Sequence, residues 1–308
     1  MRSGPLPPIV AVVGATAAGK TGLSLALAAR VGGEIVNTDA MQVYRGMDVG
    51  TAKVPTSQRR GIPHHLLDLL DVTEPLTVAE FQGWARAAVT EIRARGRVPV
   101  LVGGSALYTR AVLDVFEFPG TDPEVRRALE AELAEIGAPG LHRRLTEVDP
   151  EAAAQILPDN GRRIVRALEV VAITGRPYRA SLPEHTYAEP ATVQIGVDID
   201  RPALDRRIEE RVRSMFEAGF VDEVRRLLDA GLAHGRTAAT AIGYRQVAAH
   251  LAGEATLAET VEATTRATRR FSRRQDSWFR KDPRVVWVAW DDPERLELAI
   301  AAVPEVAG

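Results

Sequence analysis

A glycine-rich segment near the N-terminus constrains the fold more than any other feature of this chain. Residues 14–21 fit the pattern G-x-x-x-x-G-K-[ST], follow a short apolar run at 9–13 and precede a segment with helical periodicity. Backbone N–H groups of such a loop surround phosphate oxygens at the start of a helix, and the lysine reaches the outer phosphates. The pattern predicts a di- or triphosphate site made of Gly14, Ala15, Thr16, Ala17, Ala18, Gly19, Lys20 and Thr21.

The same loop predicts a metal site, because its last hydroxyl, that of Thr21, is the group that ligates Mg²⁺ beside bound phosphates. The loop does not distinguish an enzyme that transfers a phosphoryl group from one that holds a diphosphate as a leaving group. Other residues must decide between these chemistries.

The hydrophobic pattern predicts an α/β fold. Strand-like runs occur at 9–13, 34–37, 65–70, 98–102, 193–199 and 285–290, and helical periodicity occurs at 17–30, 78–95, 202–230 and 257–280. Because strands and helices alternate, we expect a parallel sheet covered by helices, as in a P-loop NTPase-like core.

A second kind of segment interrupts this alternation. Pro119 and Gly120 break the pattern, and residues 123–174 are helical, rich in arginine and almost without strand signals. We predict an inserted all-helical domain at 116–190, with a core formed by 1–115 and 191–308.

The composition excludes several classes of site. The chain has no cysteine, which rules out disulfides and thiolate metal sites, and its formal charge of -2 means that any nucleic-acid binding must come from local basic clusters. No stretch approaches the roughly 20 apolar residues of a membrane span, and residues 1–8 lack the apolar run of a signal peptide. We expect a cytoplasmic protein without membrane attachment.

Two turns after predicted strands carry candidate catalytic side chains. Asp39 follows the second strand, where a carboxylate can act as a general base or cap the next helix. Ser105 follows Gly103 and Gly104 after the fourth strand, where its hydroxyl can donate to a ligand or cap a helix. The residues alone leave both alternatives open.

Basic and aromatic residues suggest contacts with RNA. Residues 260–281 hold seven basic side chains against two acidic ones, and helical spacing places four of them on one side: Arg266, Arg269, Arg270 and Arg273. A solvated helix face would look the same. Tyr244, between Gly243 and Arg245, either stacks on an unstacked base or belongs to the core. The adjacent His64 and His65 are predicted to be structural, because neighbouring residues of a strand point in opposite directions.

Several blocks of sequence together resemble the bacterial tRNA dimethylallyltransferases, also called tRNA isopentenyltransferases or the IPP transferase family. Besides the phosphate-binding loop, the matching blocks are 39–42, 46–53, 63–68, 101–105, 163–169, 241–246, 268–270 and 274–275. The resemblance extends along nearly the whole chain. Departures are small: Ala15, Ala18 and Ser105 stand where the family usually has proline, serine and threonine.

The resemblance implies an activity and its substrates. The expected reaction transfers a dimethylallyl group from dimethylallyl diphosphate to the exocyclic N6 amine of the adenosine 3′-adjacent to the anticodon, and releases diphosphate. It implies modification of tRNAs that read codons starting with U, nucleotide binding at the ATP-type loop, Mg²⁺ as cofactor, and a monomer that contacts the anticodon stem-loop.

The resemblance also assigns roles to residues. Asp39 is expected to be the general base and Ser105 to assist the leaving oxygen, with Lys20 and Arg245 as further catalytic residues. The residues expected to contact tRNA are Asp39, Ala40, Met41, Gln42, Ser105, Arg126, Arg162, Arg163, Arg166, Gly243, Tyr244 and Arg245.

Three other functions remain compatible with the sequence. A small-molecule P-loop kinase uses the same loop, lysine and rim aspartate for phosphoryl transfer from ATP. An adenylate isopentenyltransferase would carry out the prenyl transfer on free AMP or ATP. A nucleotide-dependent RNA-binding protein without catalysis would use Asp39 only as a helix cap.

Overall fold

The computed structural model describes residues 6–116, 118–178 and 185–304 and divides the chain into two compact units. The first unit comprises Met1–Asp114 and Tyr187–Gly308, and the second comprises Val115–Thr186. The insertion was predicted at 116–190, which begins one residue after the second unit begins and ends four residues after it ends. Its residues 117 and 179–184 lie outside the described ones.

A six-stranded, wholly parallel sheet forms the centre of the first unit. Its strands in chain order are β1 (Ile9–Val13), β2 (Gly33–Asn37), β3 (His64–His65), β4 (Val98–Val102), β5 (Thr192–Asp198) and β6 (Val285–Ala289). Their order in the sheet is β3-β2-β4-β1-β5-β6. Because β1 lies between β4 and β5, the loop that follows β1 opens at the middle of the sheet edge. The predicted α/β class is confirmed.

The described residues form eleven α-helices. They are α1 (Lys20–Val31), α2 (Val78–Ala94), α3 (Ala106–Leu113), α4 (Pro123–Val148), α5 (Pro150–Gln155), α6 (Gly161–Thr174), α7 (Arg201–Glu217), α8 (Phe220–Asp229), α9 (Tyr244–Leu251), α10 (Leu257–Phe279) and α11 (Arg295–Ala301). Two of the long helices begin with a reciprocal capping box: Thr77 with Glu80 for α2, and Thr256 with Glu259 for α10.

Alternation along the buried strands builds two apolar layers. Val10 and Val12 of β1 pack in the same cluster as Leu27 of α1, whereas Ala11 packs in the cluster that contains Phe81 of α2. Successive side chains of a strand point to opposite faces, so one short apolar run supplies both layers. Both faces of the sheet are therefore covered, as expected for parallel strands.

The second unit has a core of its own. Its described residues form α4, α5 and α6 and no strand, and α4 is broken at Gly137 (φ 71°), two residues before Pro139. The buried cluster includes Leu141, Leu145 and Ile164. Glycine and proline together explain the break, because one adopts a left-handed conformation and the other lacks a backbone donor.

Some element predictions are wrong. The strand expected at 65–70 is reduced to His64–His65, because Leu66 and Asp68 have positive φ angles of 64° and 57° and turn the chain away from the sheet. The helix expected at 202–230 is two helices separated at Gly219 (φ 89°). Helices α9 and α11 were not predicted, and α3 was foreseen only as the helix that Ser105 could cap.

Within the described ranges, no helix combines the length and apolar character needed to cross a membrane.

Two glycines in different surroundings predict opposite changes in the free energy of unfolding. Gly103 lies where the segment that follows β4 passes close to the segment that follows β2, whereas Gly83 lies on an exposed face of α2. A methyl group on Gly103 would lie 2.7 Å from the carbonyl carbon of Thr38. Gly103→Ala should lower the free energy of unfolding by roughly 1–3 kcal/mol. A methyl group on Gly83, in the middle of α2, would meet no atom of the described residues within 4 Å, and Gly83→Ala should raise the free energy of unfolding by roughly 0.5–1 kcal/mol. Urea unfolding of both variants tests this, and a change of the same sign in both would contradict it.

Candidate active site

A cavity of about 540 Å³ opens where the carboxyl ends of β1, β2 and β4 meet. Its lining brings together Lys20 and Thr21 from the phosphate-binding loop, Asp39 from the turn after β2, and Gly103 and Gly104 from the turn after β4. In open parallel sheets ligands bind at this edge. Three segments that are far apart in sequence therefore share one site.

The phosphate-binding loop has the conformation that its glycines allow. Gly14 (φ 131°) and Gly19 (φ 106°) adopt positive φ angles, and a methyl group on Gly14 would lie 3.1 Å from the Val197 carbonyl oxygen. α1 begins at Lys20. The N–H groups of its first turn and the positive end of its helix dipole are therefore available to an anion. The geometry suits a bound diphosphate.

Gln275 of α10 joins this loop to the turn after β4. Its Oε1 accepts a hydrogen bond from the Thr16 N–H at 2.8 Å, and its Nε2 donates to the Gly104 carbonyl at 2.8 Å. The side chain is buried, so the oxygen and the nitrogen of its amide are both held by protein partners rather than by water. One glutamine thereby sets the separation of two walls of the cavity.

Lys20 has an unusual electrostatic environment. Its Nζ donates to the carbonyls of Gly14 at 3.0 Å and Ala15 at 2.7 Å. Burial, followed by the charge of Arg211, lowers the pKa of Lys20 to about 7, although Asp39 acts in the opposite direction. Lys20 and Arg211 therefore place two basic groups close together in the cavity, and a polyanionic ligand would stabilise their charged forms.

Asp39 is both a helix cap and a carboxylate in the cavity. Its Oδ1 accepts from the Met41 N–H at 2.9 Å at the start of the 3₁₀ helix Ala40–Val43, and its backbone N–H donates to Asn37 Oδ1 at 2.8 Å. Burial raises the pKa of Asp39, while the Met41 N–H and the charges of Lys20 and Arg211 act in the opposite direction. The two interpretations left open by the sequence are therefore compatible.

Two arginines of α7 that were not predicted as site residues also line the cavity. Arg207 Nε donates to the Ala17 carbonyl at 2.7 Å, and its guanidinium carbon lies 4.8 Å from the ring centre of Trp290. Arg211 lies one turn further along, lines the same cavity, and has a pKa lowered by burial. The two arginines are four residues apart, beside the buried Leu204 and Ile208 on α7. This spacing on one side of the helix was the sequence signal that could have identified them.

The turn after β4 places Ser105 next to the cavity but not among the residues that line it. Ser105 is half-buried and is the N-cap residue of α3, yet its side chain makes no capping hydrogen bond. The alternative of a helix-capping hydroxyl is therefore not observed. Gln42 lines the cavity, whereas Ala40 and Met41 are half-buried beside it.

The proposed stacking role of Tyr244 needs correction, because the structure places its ring in the core. The ring packs edge-to-face against Phe220 at 5.0 Å, and its hydroxyl donates to Glu223 Oε1 at 2.6 Å. Burial and the Glu223 charge raise the pKa of Tyr244, so it remains a donor. Gly243 packs against the same phenylalanine, and Arg245 is exposed and does not line the cavity.

The arginines of the second unit fall into two groups. Arg126 and Arg166 bind the fully buried carboxylate of Glu169 at 2.5 and 2.8 Å. Burial alone would raise the pKa of Glu169, but hydrogen bonds from both arginines lower it. Arg162 and Arg163 are exposed at the start of α6. The first pair has a structural role that the expected tRNA contact did not include.

The arginines of α10 divide similarly. Arg266 pairs with Glu262, and Arg269 pairs with Glu209 at 3.0 Å. Arg270 and Arg273 are exposed and have no acidic partner among the residues that the structure describes. Only part of the predicted basic face is available to an external phosphate.

The two histidines make structural contacts. His65 Nε2 lies 2.7 Å from Glu34 Oε2, and His64 Nδ1 lies 2.8 Å from the Ile62 carbonyl. No cluster of three or more His, Cys, Asp or Glu side chains that could hold a metal occurs in the described part of the chain.

Known proteins that resemble this chain in sequence and in structure belong to one family. A model of the IPP transferase family matches residues 42–282. A tRNA dimethylallyltransferase from a Nocardioides strain is 71% identical over 296 residues, covering 96% of each protein. One from Thermobifida fusca is 58% identical over 302 residues, covering 96% of this chain and 94% of the relative. The crystal structure of a tRNA isopentenylpyrophosphate transferase from Bacillus halodurans has a TM-score of 0.70 and 40% identity, and the match covers 96% of this chain and 95% of that one.

The environment of Lys20 predicts proton uptake when inorganic diphosphate binds. With a pKa of about 7, the amine is mostly neutral at about pH 8 and mostly charged at about pH 6, and a bound polyanion should restore its proton. Calorimetry in buffers of different ionisation enthalpy should detect roughly one more proton taken up by the native protein than by Lys20→Gln at about pH 8. This difference should shrink at about pH 6. Equal uptake by both proteins at the higher pH would contradict the assignment.

Proposed function

The chain belongs to the IPP transferase family, and from this premise we propose that it transfers a dimethylallyl group from dimethylallyl diphosphate to the N6 amine of an adenosine in tRNA. The observation that carries the proposal is one cavity that combines a phosphate-binding loop with the Asp39 carboxylate. The first feature suits a diphosphate leaving group and the second suits a base for the attacking amine. The names of the relatives support the same activity.

The proposed acceptor is the adenosine 3′-adjacent to the anticodon, in tRNAs that read codons starting with U. Such a base is stacked in the anticodon loop, so it must be splayed out before its amine can enter a protein cavity. We place the amine on the Asp39 side of the cavity, where Gln42 also lines the wall.

The leaving group is held on the other side. As the bond between the prenyl carbon and the diphosphate oxygen breaks, negative charge accumulates on the diphosphate. The N–H groups of the loop, the Lys20 ammonium and the guanidinium groups of Arg207 and Arg211 are positioned to stabilise that charge. Cations fixed before the reaction need no reorganisation as the charge develops.

The proton of the attacking amine is proposed to move to Asp39. The bond between N6 and the prenyl carbon forms, and the nitrogen loses a proton to the carboxylate, while Oδ1 keeps its capping hydrogen bond from Met41. Burial raises the pKa of Asp39 and makes it a stronger base, and the neighbouring cations oppose this effect. Ser105 is kept as a candidate donor to the leaving oxygen.

Mg²⁺ is proposed as the cofactor, with Thr21 as its protein ligand. Thr21 is exposed to the cavity at the start of α1, and no carboxylate cluster is required, because Mg²⁺ in phosphate sites takes most of its ligands from phosphates and water. The hydroxyl of Thr21 fits this donor set. When bound, the ion would neutralise part of the charge on the departing diphosphate.

We further propose that the second unit contacts the anticodon stem through Arg162 and Arg163, and that Arg270 and Arg273 add phosphate contacts. These exposed side chains suit an RNA backbone. The protein is proposed to be cytoplasmic, where tRNA is found, and to act as a monomer.

Replacing the proposed base tests the reaction. Magnesium, unmodified tRNA and labelled dimethylallyl diphosphate should yield label on an anticodon-adjacent adenosine, identified by mass spectrometry of nucleosides. Asp39→Asn keeps the size and an oxygen for the cap but removes the base, so kcat should fall roughly 10²- to 10⁴-fold. Label on free AMP would instead favour an adenylate isopentenyltransferase, and turnover of ATP would favour a kinase.

The two groups of arginines in the second unit predict separable effects. Arg162→Ala should raise the KM for tRNA and reduce the salt dependence of binding by roughly one phosphate contact, without changing the melting temperature. Arg166→Ala should lower the free energy of unfolding by roughly 1–3 kcal/mol, because the buried Glu169 loses a charged donor. Filter-binding titrations at several salt concentrations and thermal unfolding measure both effects. A stability loss in Arg162→Ala alone would reverse the assignment.

A further inference from the structure

A buried carboxylate outside the cavity holds the loop that follows the 3₁₀ helix Ala40–Val43. Glu223 of α8 is 2% exposed. Its Oε2 accepts from the N–H groups of Asp48 at 3.1 Å and Val49 at 2.7 Å, and its Oε1 accepts from the Gly50 N–H at 3.1 Å. The Tyr244 hydroxyl supplies a fourth hydrogen bond to Oε1 at 2.6 Å.

The loop held in this way continues into the cavity wall. Thr51 and Ala52, directly after the three N–H donors, line the cavity, and Gln42 Nε2 donates to the Thr51 carbonyl at 3.1 Å. Gln42 itself lines the cavity three residues after Asp39. A continuous path of hydrogen bonds and backbone thus joins Glu223 to the wall beside the proposed base.

Packing fixes the same loop from the side. A methyl group on Gly50 would lie 2.6 Å from the Tyr244 ring and would also overlap Phe220, and one on Gly243 would lie 2.8 Å from Phe220. Phe220, at the start of α8, therefore fills the space between two glycines. The loop has no room to shift towards α8 or α9.

The hydrogen bonds of Glu223 show more than a packing role. It has no cationic partner among the described residues, and its charge is satisfied by three backbone N–H groups and one hydroxyl. A buried charge is costly unless fully hydrogen-bonded, and an apolar side chain would fill the same space without that cost. What the carboxylate provides is a fixed position for three consecutive N–H groups.

We propose that Glu223 is a positioning residue for the tRNA acceptor: by holding residues 48–50, it keeps Thr51, Ala52 and Gln42 in place on the adenosine side of the cavity. This inference rests on the proposed function for the identity of the acceptor. Glu223 has no proposed role in holding the diphosphate, because none of its contacts with described residues reaches residues 14–21.

Glu223→Gln tests the proposal, since glutamine keeps the size but offers one acceptor oxygen instead of two. The KM for tRNA should rise roughly tenfold or more, whereas the dissociation constant for inorganic diphosphate should remain within about twofold. Hydrogen exchange of the Asp48, Val49 and Gly50 amides should accelerate. Tyr244→Phe, which leaves the three N–H contacts intact, should have a smaller effect on both readouts.

Asp222→Asn is the matched control. It removes the same charge from the same turn of α8, but its side chain is exposed and pairs with Arg225, so KM and amide exchange should not change. A merely structural Glu223 would lower the fraction of active protein and leave the KM for tRNA unchanged, and that result would overturn the proposal. Unchanged exchange at residues 48–50 would overturn it as well. If the native protein failed to modify tRNA, the proposed function would fail, while amide exchange would still decide whether Glu223 holds the loop.

Discussion

The arrangement of charges at the sheet edge is the constraint on which the rest of the site depends. Lys20, Asp39 and Arg211 converge because β1 lies between β4 and β5 and the carboxyl ends of the strands share one edge. Burial drives the pKa of Lys20 down and that of Asp39 up, so each group is pushed towards its neutral form, while their mutual attraction opposes this. The cavity is therefore electrostatically suited to a ligand that brings additional negative charge.

Two buried side chains support different segments of this cavity's lining. Gln275 ties the phosphate-binding loop to the turn after β4, and Glu223 holds the loop that leads to Thr51. Both form hydrogen bonds with backbone groups and so fix the course of the main chain around the cavity. The division would suit the proposed reaction with two substrates, since the wall proposed for the leaving group and the wall proposed for the acceptor have separate supports.

Local signals predicted the parts of the fold that short-range physics determines. The apolar run of β1 and the glycines and lysine of the loop each depend on a few neighbouring residues. Features that depend on distant partners were left open or missed. The sequence left Tyr244 between the core and a stacking role, and it belongs to the core because Phe220 and Glu223 pack against it. Arg207 and Arg211 were missed, because they face the cavity only where α7 packs beside the loop. The prediction of a strand at 65–70 was wrong because Leu66 and Asp68 adopt left-handed conformations, which cannot be read from the hydrophobic pattern of this segment.

The low pKa of Lys20 has a consequence for the covalent chemistry of the protein. The chain contains three lysines, of which Lys53 is buried in ion pairs with Asp48 and Asp68, and Lys281 is exposed. A neutral amine is a nucleophile, whereas an ammonium group is not, so the lowered pKa gives Lys20 a larger nucleophilic fraction near neutral pH than an ordinary lysine has. A polyanion in the cavity would return it to the unreactive form. The reactivity of Lys20 towards amine-directed electrophiles is therefore expected to fall when a polyanion occupies the site.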